Sequence, residues 1–390
     1  MSGVSNQDET HMTTPELIDT HGYKSETHQI WTEDGYCLDV HRVLPPKTDE
    51  NEYCKNNVNI VHNRKITEYT NYEFTQNTKA RVPVLIQHGV LSSSADWVLL
   101  GPKKALAYVL CDNNYDVWLG NTRGNAYGKK HRQYTTTDKE FWNFSWHEVG
   151  YYDLPATIDY ILEQTGYTKL YYVGYSQGTT AFYVMASERS EYNSKIKGMV
   201  SLAPIAFLSN QRSPLFKYIV HFHGLMEAQA LGTLIRNAPS SLTKGFCAYW
   251  FYLIAGFGSD QLDESMLPLI FGHFPAGVSA KQLVHYSQSI LSGSFRKFDY
   301  GASENLKIYG STQPPKYDLE NVKIPIMIFY SENDFLTDPA DVRKLVDRLP
   351  NVIETRTIEY AKFNHIDYLW GRDAKTLVYN AVLTALKRFK

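Results

Sequence analysis

The chain has 390 residues, 43% hydrophobic and 21% charged, enough to bury one large core with an insertion, or two cores. A formal net charge of -2 leaves no electrostatic footprint for nucleic acid and no polybasic patch for anionic lipid. The four cysteines, Cys37, Cys54, Cys111 and Cys247, form no C-x-x-C pair, so neither a zinc site nor a thioredoxin-like motif is indicated.

Residues 1–14 are polar and acidic and lack the basic start and apolar stretch of a secretory signal, so no export of this chain is expected. Residues 29–43 alternate apolar and polar positions on both sides of Asp34-Gly35 and read as a β-hairpin. Residues 45–79 are rich in Asn, Lys and Thr with little periodicity, which predicts a surface insertion holding at most a short strand at 58–61. The apolar run 82–87 reads as a buried strand, 103–110 as a helix and 115–119 as the next strand. A helix follows over 153–162, with Asp153 as its cap and Pro155 in its first turn. Strands at 170–173 and 199–202 flank a helix beginning near Thr179.

Between 206 and about 317 the alternation of strand and helix stops, and helical patches with strong apolar content replace it, as expected of an inserted cap. Its run 246–257 is too short to span a bilayer, so no transmembrane segment is expected. Regular alternation resumes with a strand at 326–330, a helix over 339–349, a strand over 353–358 and a closing helix over 374–389. Such alternation predicts an α/β fold with a mostly parallel central sheet and helices on both faces.

Gly174-Tyr175-Ser176-Gln177-Gly178 lies where the strand at 170–173 meets its helix. The G-x-S-x-G pattern alone is a weak signal, but in this context the glycines are expected to let the chain turn sharply and lift the Ser176 hydroxyl into the open. A hydroxyl needs a base within hydrogen-bond reach and a third group to orient that base. Asp334 follows the strand at 326–330, and His365 follows the strand at 353–358, giving the order serine, acid, histidine. Glu332 and Asp338 compete with Asp334, but Asp338 precedes Pro339 and fits a helix cap. His88 is the rival base. It lies in Gln87-His88-Gly89-Val90 after a buried strand, where the loop suits an oxyanion donor, so His88 is assigned to scaffolding. The expected oxyanion pair is the amides of Val90 and Gln177.

Nucleotide and metalloprotease motifs are lacking: no G-x-x-x-x-G-K-[ST], no H-E-x-x-H, and no G-x-G-x-x-G between a strand and a helix. His221-Phe222-His223 is too isolated for a metal site, and Gly120-Asn121-Thr122-Arg123-Gly124-Asn125 reads as a tight loop carrying Arg123. Neither a metal, a cofactor, a nucleotide nor a nucleic acid is expected. Asn143-Phe144-Ser145 is a glycosylation sequon whose aromatic surroundings equally fit core packing.

With these residues assembled, the chain from about residue 14 to its end resembles the acid lipases of the α/β-hydrolase superfamily, the group of gastric and lysosomal acid lipases and their insect relatives. The resemblance rests on Thr32-Glu33-Asp34-Gly35-Tyr36, Gln87-His88-Gly89-Val90, Asp116-Val117-Trp118-Leu119-Gly120-Asn121, Tyr152-Asp153-Leu154-Pro155-Ala156-Thr157, Ser176-Gln177-Gly178-Thr179-Thr180 and Phe363-Asn364-His365. It implies an α/β-hydrolase fold, a triad of Ser176, Asp334 and His365, and oxyanion donors at Val90 and Gln177. It also implies hydrolysis of triacylglycerols or cholesteryl esters at a lipid–water interface, and secretion or lysosomal delivery. Expected boundaries are an N-terminal segment at 1–28, a core at 29–205 and 319–390, and a cap with lid at 206–318. Phe246, Trp250, Phe251 and Leu253 are the expected walls of an acyl pocket. The alternatives are an esterase or acyltransferase on other acyl esters, and a catalytically silent lipid-binding protein. The insertion at 45–79 is longer than the family usually carries, and a cap-internal disulfide is excluded because Cys247 is the only cysteine within 206–318.

Overall fold

The computed structural model describes residues 9–46, 81–214 and 255–389. A nine-stranded sheet organises them: β1 (Lys24–Trp31), β2 (Tyr36–Leu44), β3 (Val82–Gln87), β4 (Tyr115–Gly120), β5 (Lys130–His131), β6 (Leu170–Tyr175), β7 (Ile196–Leu202), β8 (Ile326–Tyr330) and β9 (Val352–Thr357). The order is β1-β2-β4-β3-β6-β7-β8-β9, with β5 paired to β2. The β1–β2 hairpin and the β2–β4 pair are antiparallel, and the pairs from β4 to β9 are parallel. The predicted hairpin and mostly parallel sheet are therefore present.

The central strands are apolar on both faces because helices cover both. Val84 and Ile86 of β3 point into one core with α2 (Leu106–Asp112), while Leu85 points into the other with α3 (Leu154–Thr165) and α4 (Gln177–Glu188). The edge strand β9 instead alternates exposed and half-buried positions. The chain leaves β3 toward β4 on one side and returns to β6 on the other, so the direction of winding reverses between β3 and β6. At such a switch point a crevice opens at the carboxyl ends of the strands. The residues following β3 and β6 are the His88 loop and Ser176.

Several boundaries differ from the sequence reading for physical reasons. Helix α1 (Thr14–Thr20), with a capping box between Thr13 and Glu16 at its start, precedes the hairpin in a stretch for which the sequence reading named no element. The helix expected from 103 begins at Leu106, since Lys103 has a φ of 66°. Asp153 does not cap α3. The chain is already helical before it, and its carboxylate accepts from Arg123 Nε at 2.8 Å, while Asp34 takes the other side of the same guanidinium at 2.5 and 2.8 Å. Asp338 does act as a cap, accepting from the Ala340 amide at 2.9 Å ahead of the helix Pro339–Val346. Asn143 of the sequon is exposed and accepts from Lys281, whereas Phe144 and Ser145 are buried. Cys37 and Cys111 are buried free thiols.

Within the insertion, Leu267–His273, Ala280–Ser292 and Ala302–Tyr309 are helices. The described flanks of residues 215–254 meet on the loop after β8. The Arg212 amide donates to the Phe335 carbonyl at 2.7 Å, and the Phe335 amide donates to the Ala255 carbonyl at 3.2 Å. No helix among the described residues is long and apolar enough to cross a membrane.

Candidate active site

Ser176 sits between β6 and α4 with φ 51° and ψ -118°, outside the regions that residues with a side chain normally occupy. Strain of this kind persists only when the surroundings enforce it. Here the Ser176 amide donates to Leu202 on β7 at 3.0 Å, and its carbonyl accepts from the Thr179 amide at 2.8 Å and the Thr179 hydroxyl at 2.6 Å. The sharp turn is thus carried by the serine itself. Gly174 and Gly178 do not have positive φ, which corrects the role expected of them. They are required for close approach: a Cβ on Gly178 would lie 2.5 Å from the Gln87 carbonyl oxygen, and one on Gly174 would lie 2.8 Å from the Tyr172 ring.

The three residues singled out by sequence order come together. Ser176 Oγ lies 2.9 Å from His365 Nε2, and His365 Nδ1 lies 2.7 Å from Asp334 Oδ2. In the arrangement that primes the serine, Nδ1–H donates to Asp334 and Nε2 accepts from the serine hydroxyl. Asp334 is fully buried, and its other oxygen accepts from the amides of Leu336 and Thr337, each at 2.8 Å. Arg212 braces the same loop, donating to the carbonyls of Glu332 and Asp334 at 2.6 and 3.0 Å. The Glu332 side chain is exposed, and Asp338 is engaged as a cap, so neither rival faces His365. His365 is held from both sides: its carbonyl accepts from the Tyr175 hydroxyl at 2.8 Å, and its amide donates to Ala255 at 3.2 Å.

Beside the histidine lies Asp367. Its Oδ2 accepts from Ser259 Oγ at 2.6 Å and from the Asn364 amide at 2.8 Å, and burial pushes its carboxyl up to about 7. Residues missed by sequence reasoning therefore tie the histidine loop to the segment after 254. The side-chain acceptor two positions past the histidine was the available signal.

The loop after β3 carries Val90, one of the two expected oxyanion donors. A Cβ on Gly89 would fall 3.2 Å from Ser176 Cβ, so this loop lies directly against the nucleophile, with Val90 beside it. Gln177 opens α4, and its amide has no acceptor within that helix. His88 is fully buried, and burial pushes its pKa down to about 4, so the ring is neutral. It reaches the Gly89 carbonyl and Asn125 rather than Ser176, consistent with scaffolding.

Next to Ser176 is a narrow apolar slot lined by Ile205, Leu208, Tyr286, Ile290 and Leu336. These residues come from three segments, the loop after β7, the helix Ala280–Ser292 and the loop after β8, and carry no local motif, which is why sequence reasoning did not find them. Phe246, Trp250, Phe251 and Leu253, the expected acyl-pocket walls, lie outside the described residues, as do His221-Phe222-His223 and the short strand expected at 58–61. Among the described residues no group of three or more His, Cys, Asp or Glu side chains could hold a metal ion.

Comparisons with known proteins bear on the fold and the family. Residues 14–101 match the family described as a partial alpha/beta-hydrolase lipase region, and residues 82–228 match the alpha/beta hydrolase fold. Lipase 3 of Drosophila melanogaster is 41% identical, the match covering 96% of this chain and 93% of that protein. Human gastric triacylglycerol lipase is 34% identical, covering 98% and 92%. Among solved structures, naproxen esterase from Bacillus subtilis superposes with a TM-score of 0.54 at 15% identity, covering 99% of this chain and all of that one, a likeness of fold. The chain belongs to the lipase family of the α/β-hydrolases that includes these insect and gastric lipases.

Proposed function

We propose that the chain is a serine-dependent lipase hydrolysing fatty acyl esters of neutral lipids, of the triacylglycerol or cholesteryl ester class, through an acyl-enzyme. The observation that carries this reading is the alignment of Ser176, His365 and Asp334 at 2.9 and 2.7 Å beside an apolar slot. Ser176 Oγ attacks the ester carbonyl carbon while its proton passes to His365 Nε2. The amides of Val90 and Gln177 hold the oxyanion, and Asp334 stabilises the imidazolium. Collapse breaks the bond to the alcohol, which leaves with the proton from His365. Water then attacks the acyl carbon, giving up a proton to His365, and the fatty acid departs as Ser176 recovers its hydrogen.

In this reading 29–205 and 319–390 form the catalytic core and 206–318 the cap. Phe246, Trp250, Phe251 and Leu253 are assigned in it to acyl-chain binding. Leu291, Leu306 and Ile308, exposed aliphatic side chains of the cap, suit contact with a lipid–water interface. Secretion or lysosomal delivery fits the relation to gastric triacylglycerol lipases.

The test is a fluorophosphonate probe together with triolein, cholesteryl oleate and short-chain esters, on the wild type and Ser176→Ala. The expected result is labelling and turnover in the wild type and loss of both in the variant. An unlabelled, inactive wild type would favour a silent lipid-binding protein instead. Turnover of short esters alone would favour an esterase, and acyl transfer to an added alcohol in preference to water an acyltransferase.

A further inference from the structure

The loop Gly120-Asn121-Thr122-Arg123-Gly124-Asn125 has no part in the reaction as described, yet its last residue reaches the oxyanion side. Asn125 Nδ2 lies 3.2 Å from His88 Nε2, and His88 Nδ1 lies 2.7 Å from the Gly89 carbonyl oxygen. The orientation of the Asn125 amide is fixed independently. Its Oδ1 accepts from the Tyr127 amide at 2.9 Å, and its Nδ2 also faces Asn121 Oδ1 at 2.9 Å and the Ser92 carbonyl at 3.3 Å. A nitrogen that only donates forces Nε2 of the ring to accept, so the single proton of the neutral imidazole stands on Nδ1 and is donated to Gly89.

The Gly89 carbonyl and the Val90 N–H belong to one planar peptide unit and point in opposite directions. Whatever fixes the oxygen aims the hydrogen. We infer that Asn125 and His88 are positioning residues for the oxyanion donor: Asn125 selects the His88 tautomer, His88 clamps the Gly89 carbonyl, and the Val90 amide is thereby aimed at the space above Ser176. Gly89 permits this because its α-carbon presses against the nucleophile, where a Cβ would fall 3.0 Å from the Tyr175 ring. The inference rests on the hydrolase reading above and on Val90 as an oxyanion donor.

The test exploits amide geometry. In His88→Asn the side-chain nitrogen takes the place of Nδ1 and still reaches Gly89. In His88→Gln it takes the place of Nε2, which faces Asn125, and in His88→Leu both bonds are gone. With a soluble short-chain ester, His88→Gln and His88→Leu are expected to lose about tenfold to a hundredfold in kcat with KM changed less than about threefold, because the bond serves the transition state alone. His88→Asn is expected to recover kcat to within about threefold of wild type. Thermal midpoints establish that each variant is folded. A wild type that labels and turns over while His88→Leu keeps its kcat overturns this inference alone. So does a folded His88→Asn that falls as far as His88→Leu. A wild type that neither labels nor turns over overturns the hydrolase reading and this inference with it. A measurement independent of activity is the nitrogen NMR spectrum of ¹⁵N-histidine-labelled wild type, with His88 assigned from its absence in His88→Asn: a neutral ring protonated on Nδ1 supports the inference, and one protonated on Nε2 overturns it.

Discussion

Replacing Asp96 with Asn is expected to change how stability depends on pH. Asp96 lies in the turn Ser94–Trp97 after the oxyanion loop and is 2% exposed, and neither carboxyl oxygen has a hydrogen-bond partner of good geometry among the described residues. Burial pushes its pKa from 3.8 up to about 7, with the Ser92 hydroxyl offsetting only part of the effect. Below about pH 4 the group is protonated in the folded and the unfolded chain alike, and no penalty arises. Between about pH 4 and 7 the unfolded chain releases its proton while the folded chain keeps it, so stability falls by about 1.4 kcal/mol for each pH unit. Above about pH 7 both release it, and the folded state carries the whole deficit of about 4 kcal/mol. Asn cannot titrate, so Asp96→Asn should gain on the wild type by about 3 kcal/mol between pH 4.5 and pH 8. Asp367 titrates in both proteins and cancels in the difference. Urea unfolding followed by tryptophan fluorescence at the two pH values measures it. Wild-type and variant curves that shift in parallel, within about 1 kcal/mol, would refute a buried carboxyl held neutral at this position.

Asp334→Asn should reduce kcat by about 10³- to 10⁴-fold while leaving the thermal midpoint nearly unchanged, because the retained oxygen can still accept from Leu336 and Thr337. Stopped assays with a short-chain ester and a melting curve check both halves. Gly178→Ala drives a methyl to 2.5 Å from the Gln87 oxygen, and the forced shift between β3 and α4 should cost about 1–3 kcal/mol and lower the fluorophosphonate labelling rate. Arg123→Met strands the fully buried Asp153 carboxylate, and denaturant unfolding at pH 7 should show a loss of about 3–5 kcal/mol.

The strands and the meeting of Ser176, Asp334 and His365 were readable from sequence for related reasons. Strands buried on both faces must be continuously apolar, as 82–87 and 326–330 are, and order along the chain then ranks the acid and the histidine relative to Ser176. What stayed hidden depends on distant groups. An aspartate ahead of a proline looks the same whether it caps a helix, as Asp338 does, or meets an arginine thirty residues earlier, as Asp153 does. The elbow glycines announced a turn, yet the strain fell on Ser176, and the Gln87 carbonyl that leaves no room for a Cβ on Gly178 arrives from β3 and not from the local pattern. The apolar slot and the Asn125–His88 contact likewise join residues that only the sheet order brings together.

The peptide groups on either side of Phe335 act as a buckle. One accepts the chain as it departs at Arg212, the other takes it back at Ala255, and Asp334 is the residue immediately before. A stretch rooted at a single spot can be lengthened, shortened or exchanged while the distance between its two roots stays the same. Exchanging the sequence between those roots is therefore expected to leave the Asp334 loop where it is.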